Sequence, residues 1–263
     1  MTGTKLVADG QLFIGSTAAP FTNVGTLASA DGSVTITNGA GTIDLSSGAG
    51  LSSLKNIPEW FDDFVYGSTG YTGELGWIQL NASTVGVSGE DGHPGIVNLD
   101  VSAVSYNGLS AYSGVCFGTD TYVYETVLKL SVLSDNDDNY QVSIGISDAA
   151  GLPIQNQVAF IYNNTINTGN WTGRISVAGV DTDIDTGIAV TTDWVSLKID
   201  ISTGAAEFFV DGVSGGTITT ALPTVSLPFN YNIEKLIDTN AETELIIIDA
   251  FYAKCTLTTP RFL

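Results

Sequence analysis

The chain has 263 residues, 43% hydrophobic and 10% aromatic, with a mean hydropathy of +0.23, which is enough apolar material to bury a substantial core over most of its length. Lys and Arg total 8 against 28 Asp and Glu, a formal charge of -20 that repels phosphate backbones and excludes nucleic acid as a partner. Apolar runs are short and always interrupted, far from the roughly 20 residues of a membrane helix, and 2 cysteines with 1 histidine are too few for a structural zinc site or a disulfide framework.

The N-terminal residues are short alternating pieces broken by glycine. Val34-Thr35-Ile36-Thr37 and Thr42-Ile43-Asp44-Leu45 alternate apolar and polar side chains around Asn38-Gly39-Ala40-Gly41, which predicts a hairpin with a left-handed turn. Residues 11–15 and 25–28 are similar pieces, bounded by Asp9-Gly10, Ala18-Ala19-Pro20 and Asp31-Gly32. Such ribbons bury one face at most, and a lone hairpin is marginal in water. Residues 1–54 therefore read as an attachment and oligomerisation stalk, ending in the linker-like, Ser- and Gly-rich stretch 46–56.

From Ile57 onward aromatic residues become frequent. Phe61-Asp62-Asp63-Phe64 opens this part, and strand-length β-branched and aromatic runs follow at 122–130, 141–146, 158–162, 194–201, 206–210 and 245–252, separated by Asp, Asn, Gly and Pro turns. No dozen residues hold a helical period, although Tyr231-Asn232-Ile233-Glu234-Lys235-Leu236, after Leu227-Pro228, reads as a short helix-like turn. So many strands in roughly 200 residues predict an all-β, two-sheet sandwich.

The order Trp194-x-x-Leu197-x-Ile199, Phe208-Phe209-Val210-Asp211-Gly212, Leu222-Pro223 and Ile247-Ile248-Asp249-Ala250-Phe251 resembles the back half of concanavalin A-like jelly-roll domains. The resemblance implies that Asp211-Gly212 closes a hairpin and that the last strand pairs with the first, at Asp62-Asp63-Phe64. Phe61 to Phe64, Gly76-Trp77 and His93-Pro94-Gly95-Ile96 resemble the opening of jelly-roll modules in bacteriophage fibre and other virion proteins. Residues 8–48 are similar to repeats near phage fibre shafts. The domain reading is thus a stalk over 1–54 and a jelly-roll β-sandwich head over 57–263.

Jelly rolls of this type include lectins, hydrolases, lyases and inert modules, so function rests on sites. The Glu-x-Asp-x-x-Glu pattern of laminarinase-like enzymes is absent. Asp249 has apolar neighbours, and Glu242 and Glu244 precede it without a partner at the right alternation. Lyase chemistry needs a base beside a cationic clamp, hard to assemble from Arg174, Arg261 and His93, which sits before a Pro-Gly turn and reads as structural. Among Trp77, Trp171 and Trp194, Trp171 lies in a polar stretch with Asn167 and Asn170, a candidate carbohydrate platform, with packing against the domain as the other reading. Asp181, Asp183 and Asp185 would share one strand face, either as a calcium site or as a solvated acidic face. The acidic run 135–139 has the same two readings. Cys116 reads as a buried thiol, and its pairing with Cys255 stays open.

The combined expectation is a non-enzymatic virion surface protein, a fibre or capsid decoration of a bacteriophage. It would need no cofactor unless calcium binds, form a homo-oligomer, most simply a trimer, contact other virion proteins through the stalk, and adhere to host surface glycan. A purely structural decoration without ligand is the alternative, and a glycan-degrading enzyme the third reading.

Overall fold

The computed structural model describes residues 57–258 apart from 66, 69–70, 81–86, 102–105, 116, 149–152 and 238–243, and four strands within residues 1–56. The chain divides into two units, Met1–Ile57 with Thr259–Leu263, and Pro58–Thr258. In the first unit β1 (Gln11–Ile14) pairs antiparallel with β2 (Asn23–Thr26), and β3 (Val34–Gly39) with β4 (Thr42–Ser47). Ile36 faces Leu45 and Gly39 faces Thr42, the hairpin that the alternation predicts. Most of the linker-like stretch and Cys116 lie outside the described residues.

The second unit is an all-β sandwich. Its first sheet runs, in spatial order, β19 (Val213–Thr219), β18 (Ala205–Val210), β17 (Val195–Ser202), β12 (Thr121–Leu130), β21 (Leu245–Thr256), β10 (His93–Asp100) and β9 (Val87–Glu90), with β5 (Glu59–Asp62) also paired to β21. The second runs β16 (Val180–Ala189), β15 (Asn170–Val177), β14 (Gln157–Tyr162), β13 (Tyr140–Ser147), β20 (Leu227–Lys235), β11 (Tyr106–Val115) and β8 (Ile78–Leu80). Neighbours within both sheets are antiparallel. A two-strand ribbon, β6 (Gly67–Ser68) with β7 (Tyr71–Thr72), lies apart. Among the described residues the only helical turn is the short 3-10 turn Asn167–Gly169.

In the first sheet β12, β17 and β18 bury alternate residues because a strand turns successive side chains to opposite faces. Tyr122, Tyr124, Leu128 and Leu130 of β12 and Val195, Leu197, Ile199 and Ile201 of β17 point into the core. They meet Val142, Ile144, Ile146, Phe160, Phe229 and Tyr231 of the second sheet in one cluster. The expected pairing of last strand with first is present, Phe251 lying opposite Asp62. Asp62 is buried and accepts from the backbone N–H groups of Phe64 and Leu75 and from Trp77 Nε1, so its charge is spent on fixing the chain entry. Asp211 and Gly212 close the β18–β19 hairpin with φ of 50° and 76°, the left-handed pair that a two-residue turn requires.

One expectation is corrected. Residues 231–235 are extended backbone within β20, hydrogen-bonded on both sides to β11 and β13, and not a helical turn. The outer face of this central strand is also buried, so Asn230 and Asn232 sit inside and the period-two contrast that marks a half-exposed strand is lost.

Candidate functional site

Three groups of residues singled out from sequence, or brought together by the fold, could carry function. The first surrounds Trp171. Asn170 begins strand β15, which turns Trp171 inward. Its ring is 1% exposed and packs against Phe160 and Tyr162 at 6.1 and 6.0 Å. The exposed sugar platform is therefore corrected to a core contact. Asn167 Nδ2 donates to Thr172 Oγ1 at 2.7 Å and Asn170 Nδ2 to Asp185 Oδ1 at 3.0 Å, so both amides brace the loop onto the sheet. Trp171→Ala is expected to cost about 3–5 kcal/mol in denaturant unfolding, while ligand binding per folded molecule stays unchanged.

The second is the acidic strand β16. Asp181, Asp183 and Asp185 alternate along it as predicted, opposite Ser176, Arg174 and Thr172 of β15. Arg174 lies 3.0 Å from Asp181 Oδ2 and donates through Nε to Asp183 at 2.7 Å, Ser176 Oγ donates to Asp181 at 2.6 Å, and the Gly187 N–H to Asp185 at 2.8 Å. Burial works against the Arg174 charge, but Asp183 and Asp181 outweigh it and raise the guanidinium pKa. The calcium reading is corrected accordingly: the neighbouring strand supplies the cation. Among the described residues no three His, Cys, Asp or Glu side chains converge on one point as metal ligands.

The third lies on the outer face of the first sheet, where the fold gathers His93, Trp194 and Asp249, residues that the sequence presents only separately. Two β-bulges shape one end of it. One falls in β21 between the partners of Val127 and Leu128, making Asp249 the extra residue, and the other in β10 between His93 and Ile96. Together they bring His93 Nδ1 to 2.9 Å from Asp249 Oδ2. His93 also stacks on Trp194 with ring centroids 4.0 Å apart. Trp194 Nε1 donates to Glu90 at 2.6 Å, and Lys129 Nζ donates to Glu90 at 2.8 Å and lies 4.6 Å from the Trp194 ring centroid. Hydrogen bonds from Lys129 and then Trp194 lower the Glu90 pKa. The arrangement ties the edge hairpin β9–β10 to β12 and to the entry of β17, and Trp194 already carries three partners, His93, Glu90 and Lys129.

At the other end of the same face a groove of about 420 Å³ opens over β12, β17, β18 and β19. Val123, Asp200, Glu207 and Thr217 form one cross-strand row through it, with Thr121, Lys198 and Ser202 beside them. Asp200 Oδ2 takes Lys198 Nζ at 2.8 Å, while its Oδ1 has no hydrogen-bond partner. Glu207 accepts from Ser214 Oγ at 2.7 Å, and Lys198 Nζ lies 4.7 Å from the Phe209 ring centroid. Carboxylates, hydroxyls and one ammonium in an open groove of this volume suit a small polyhydroxylated ligand held by hydrogen bonds.

No protein-family model and no curated protein matches the chain. Solved structures do. The unit is similar to a β-glucanase of Bacillus licheniformis, at 15% identity and a TM-score of 0.52 over 74% of this chain and 97% of that one. It is similar to a protein of unknown function from Shewanella oneidensis MR-1, at 16% and 0.56 over 79% and 90%. The carbohydrate recognition domain of Emp47p aligns at 11% and 0.50 over 76% and 94%. At such identities the likeness defines the fold alone: the two-sheet jelly roll of the concanavalin A-like lectins and glucanases.

Proposed function

We propose that the protein is a non-enzymatic, lectin-like surface module of a virion, which holds glycan in the groove over β12, β17, β18 and β19. The groove carries the reading, since it places carboxylate, hydroxyl and ammonium groups on rigid neighbouring strands. Its two carboxylates act as acceptors, Asp200 toward Lys198 and Glu207 toward Ser214, the role that sugar hydroxyls need. Glycosidic cleavage asks instead for one carboxyl group to give a proton while the other stays ionised. The virion setting rests on the sequence resemblance to phage fibre modules. Residues 1–54 form the attachment element and trimer contact, and display in several copies raises a weak single-site affinity.

The test is a glycan array probed with the full chain, followed by calorimetry on the best hit. Asp200→Ala is expected to weaken binding at least tenfold with an unchanged unfolding midpoint, and no oligosaccharide is expected to be released on prolonged incubation. An array without hits favours the purely structural decoration. Product release abolished by Asp200→Ala or Glu207→Ala establishes the enzyme reading instead.

A further inference from the structure

We infer that the groove accepts uncharged sugars and excludes anionic ones, such as sialylated, uronate or sulfated glycans; this rests on the glycan-binding reading above. The described cations around it are already committed to carboxylates. Lys198 is the ammonium in the groove, and it is held by Asp200 at 2.8 Å on one side and by the Phe209 ring at 4.7 Å on another. Its strand partner across β12 is a further acid, Glu125. The next cation on the same face, Lys254, stands in the Val123–Asp200–Glu207 row and has its own carboxylate, Glu59, at 3.8 Å. Glu207 has no ammonium or guanidinium partner among the described residues, and bonds only a neutral hydroxyl, Ser214. Tyr252, opposite Glu125 on β12 and Phe61 on β5, carries a phenol pKa raised by burial and then by Glu59 and Glu125.

A carboxylate or sulfate entering the groove therefore meets Glu207 and Asp200 with, among the described residues, no uncommitted positive group beside them, under the long-range field of a chain with formal charge -20. A neutral sugar meets the opposite situation. Its hydroxyls are donors, and the groove offers acceptors, the Glu207 carboxylate and the hydroxyl oxygens of Thr121, Ser202 and Thr217 among them. The selection is made by repulsion of the wrong ligand more than by attraction to the right one.

Matched pairs decide it: lactose against sialyllactose, and glucose oligomers against glucuronate oligomers, measured on the full chain in 50 and 500 mM salt. The neutral member of each pair is expected to bind at least tenfold tighter at low salt, and the gap to narrow at high salt as the repulsion is screened. Glu207→Lys, on the exposed side of β18, is expected to bring the anionic member within about threefold of the neutral one. Equal or tighter binding of the anionic member by the unmodified chain overturns the inference while leaving glycan binding intact. A selectivity that Glu207→Lys leaves untouched also overturns it, because the groove is then not where the charge is read. Absence of binding by every member at millimolar concentration overturns the glycan-binding reading itself.

Discussion

Phe251→Ala is expected to destabilise the sandwich unit by about 3–5 kcal/mol, which for a domain of ordinary stability is a large part of the whole. Phe251 is fully buried on the last strand, and its ring centroid lies 5.0 Å from Trp77, 5.7 Å from Tyr124 and 4.9 Å from Phe229. Those contacts join β21 and the segment before β8 to β12 and to the facing β20. Truncation to Ala removes the ring and leaves a cavity that strands locked by ladder hydrogen bonds cannot close. Equilibrium unfolding in urea is the measurement, with Ile247→Ala as the control. Ile247 lies on the outward alternation of the same strand and is expected to cost under about 1 kcal/mol.

Lys235→Met is expected to cost about 3–5 kcal/mol near neutral pH, and less in mild acid. Lys235 Nζ sits 3.0 Å from Glu244 and 3.4 Å from Asp138, and all three side chains are buried at the end of β20. Two carboxylates and one ammonium leave an excess negative charge inside. Burial, and then the neighbouring Asp138 carboxylate, push Glu244 from its ordinary 4.5 up to about 6, against the pull of Lys235. A carboxyl group whose pKa is raised by folding adds stability that is full below its ordinary value and is lost as the pH climbs through about 6. The unmodified protein should therefore gain on the order of 1–2 kcal/mol from this group between neutral pH and pH 4.5. Removing Lys235 takes away the ammonium that the two described carboxylates share, and protonation of Glu244 then restores part of the loss. Glu244→Gln should flatten the pH dependence in this window while Lys235 keeps its ion pair with Asp138. Thermal melts at half-unit pH steps check both variants; a Glu244→Gln profile parallel to the unmodified one would refute the assignment.

How much was legible can be followed residue by residue. Asp211-Gly212 declared its hairpin because a left-handed turn is a property of two adjacent residues and needs no partner from elsewhere. The strands 122–130, 194–201 and 245–252 were legible because one face is buried and the other wet, which writes a period of two into the residue types. Residues 231–235 were misread because β20 is covered on both faces, and the mixture of Tyr, Asn and Ile that results has no such contrast. For Trp171 the sequence left an exposed platform and packing against the domain both open because its surroundings there are polar, and its inward direction is set by where β15 starts. The calcium reading of β16 had the carboxylates on one face correctly. It lacked Arg174, which only the register with β15 sets among them. Asp249 stood out as an acid in an apolar run, but His93 reaches it only through two bulges.

By itself, the sequence determined that the chain is all-β, where most strands run and where the Asp-Gly turn falls, because propensity, alternation and turn chemistry are local; the closing of the first sandwich strand against the last was implied only by the resemblance to jelly-roll domains. Only the tertiary structure decided which of Phe208 and Phe209 faces the core, that Arg174 neutralises the acidic strand, that Asp138, Lys235 and Glu244 are buried together, and that Asp200 and Glu207 line one groove. The physical reason is register: pairing two strands one residue out of step exchanges every inward and outward side chain, and the information that selects the step is spread over distant strands that meet only in the fold.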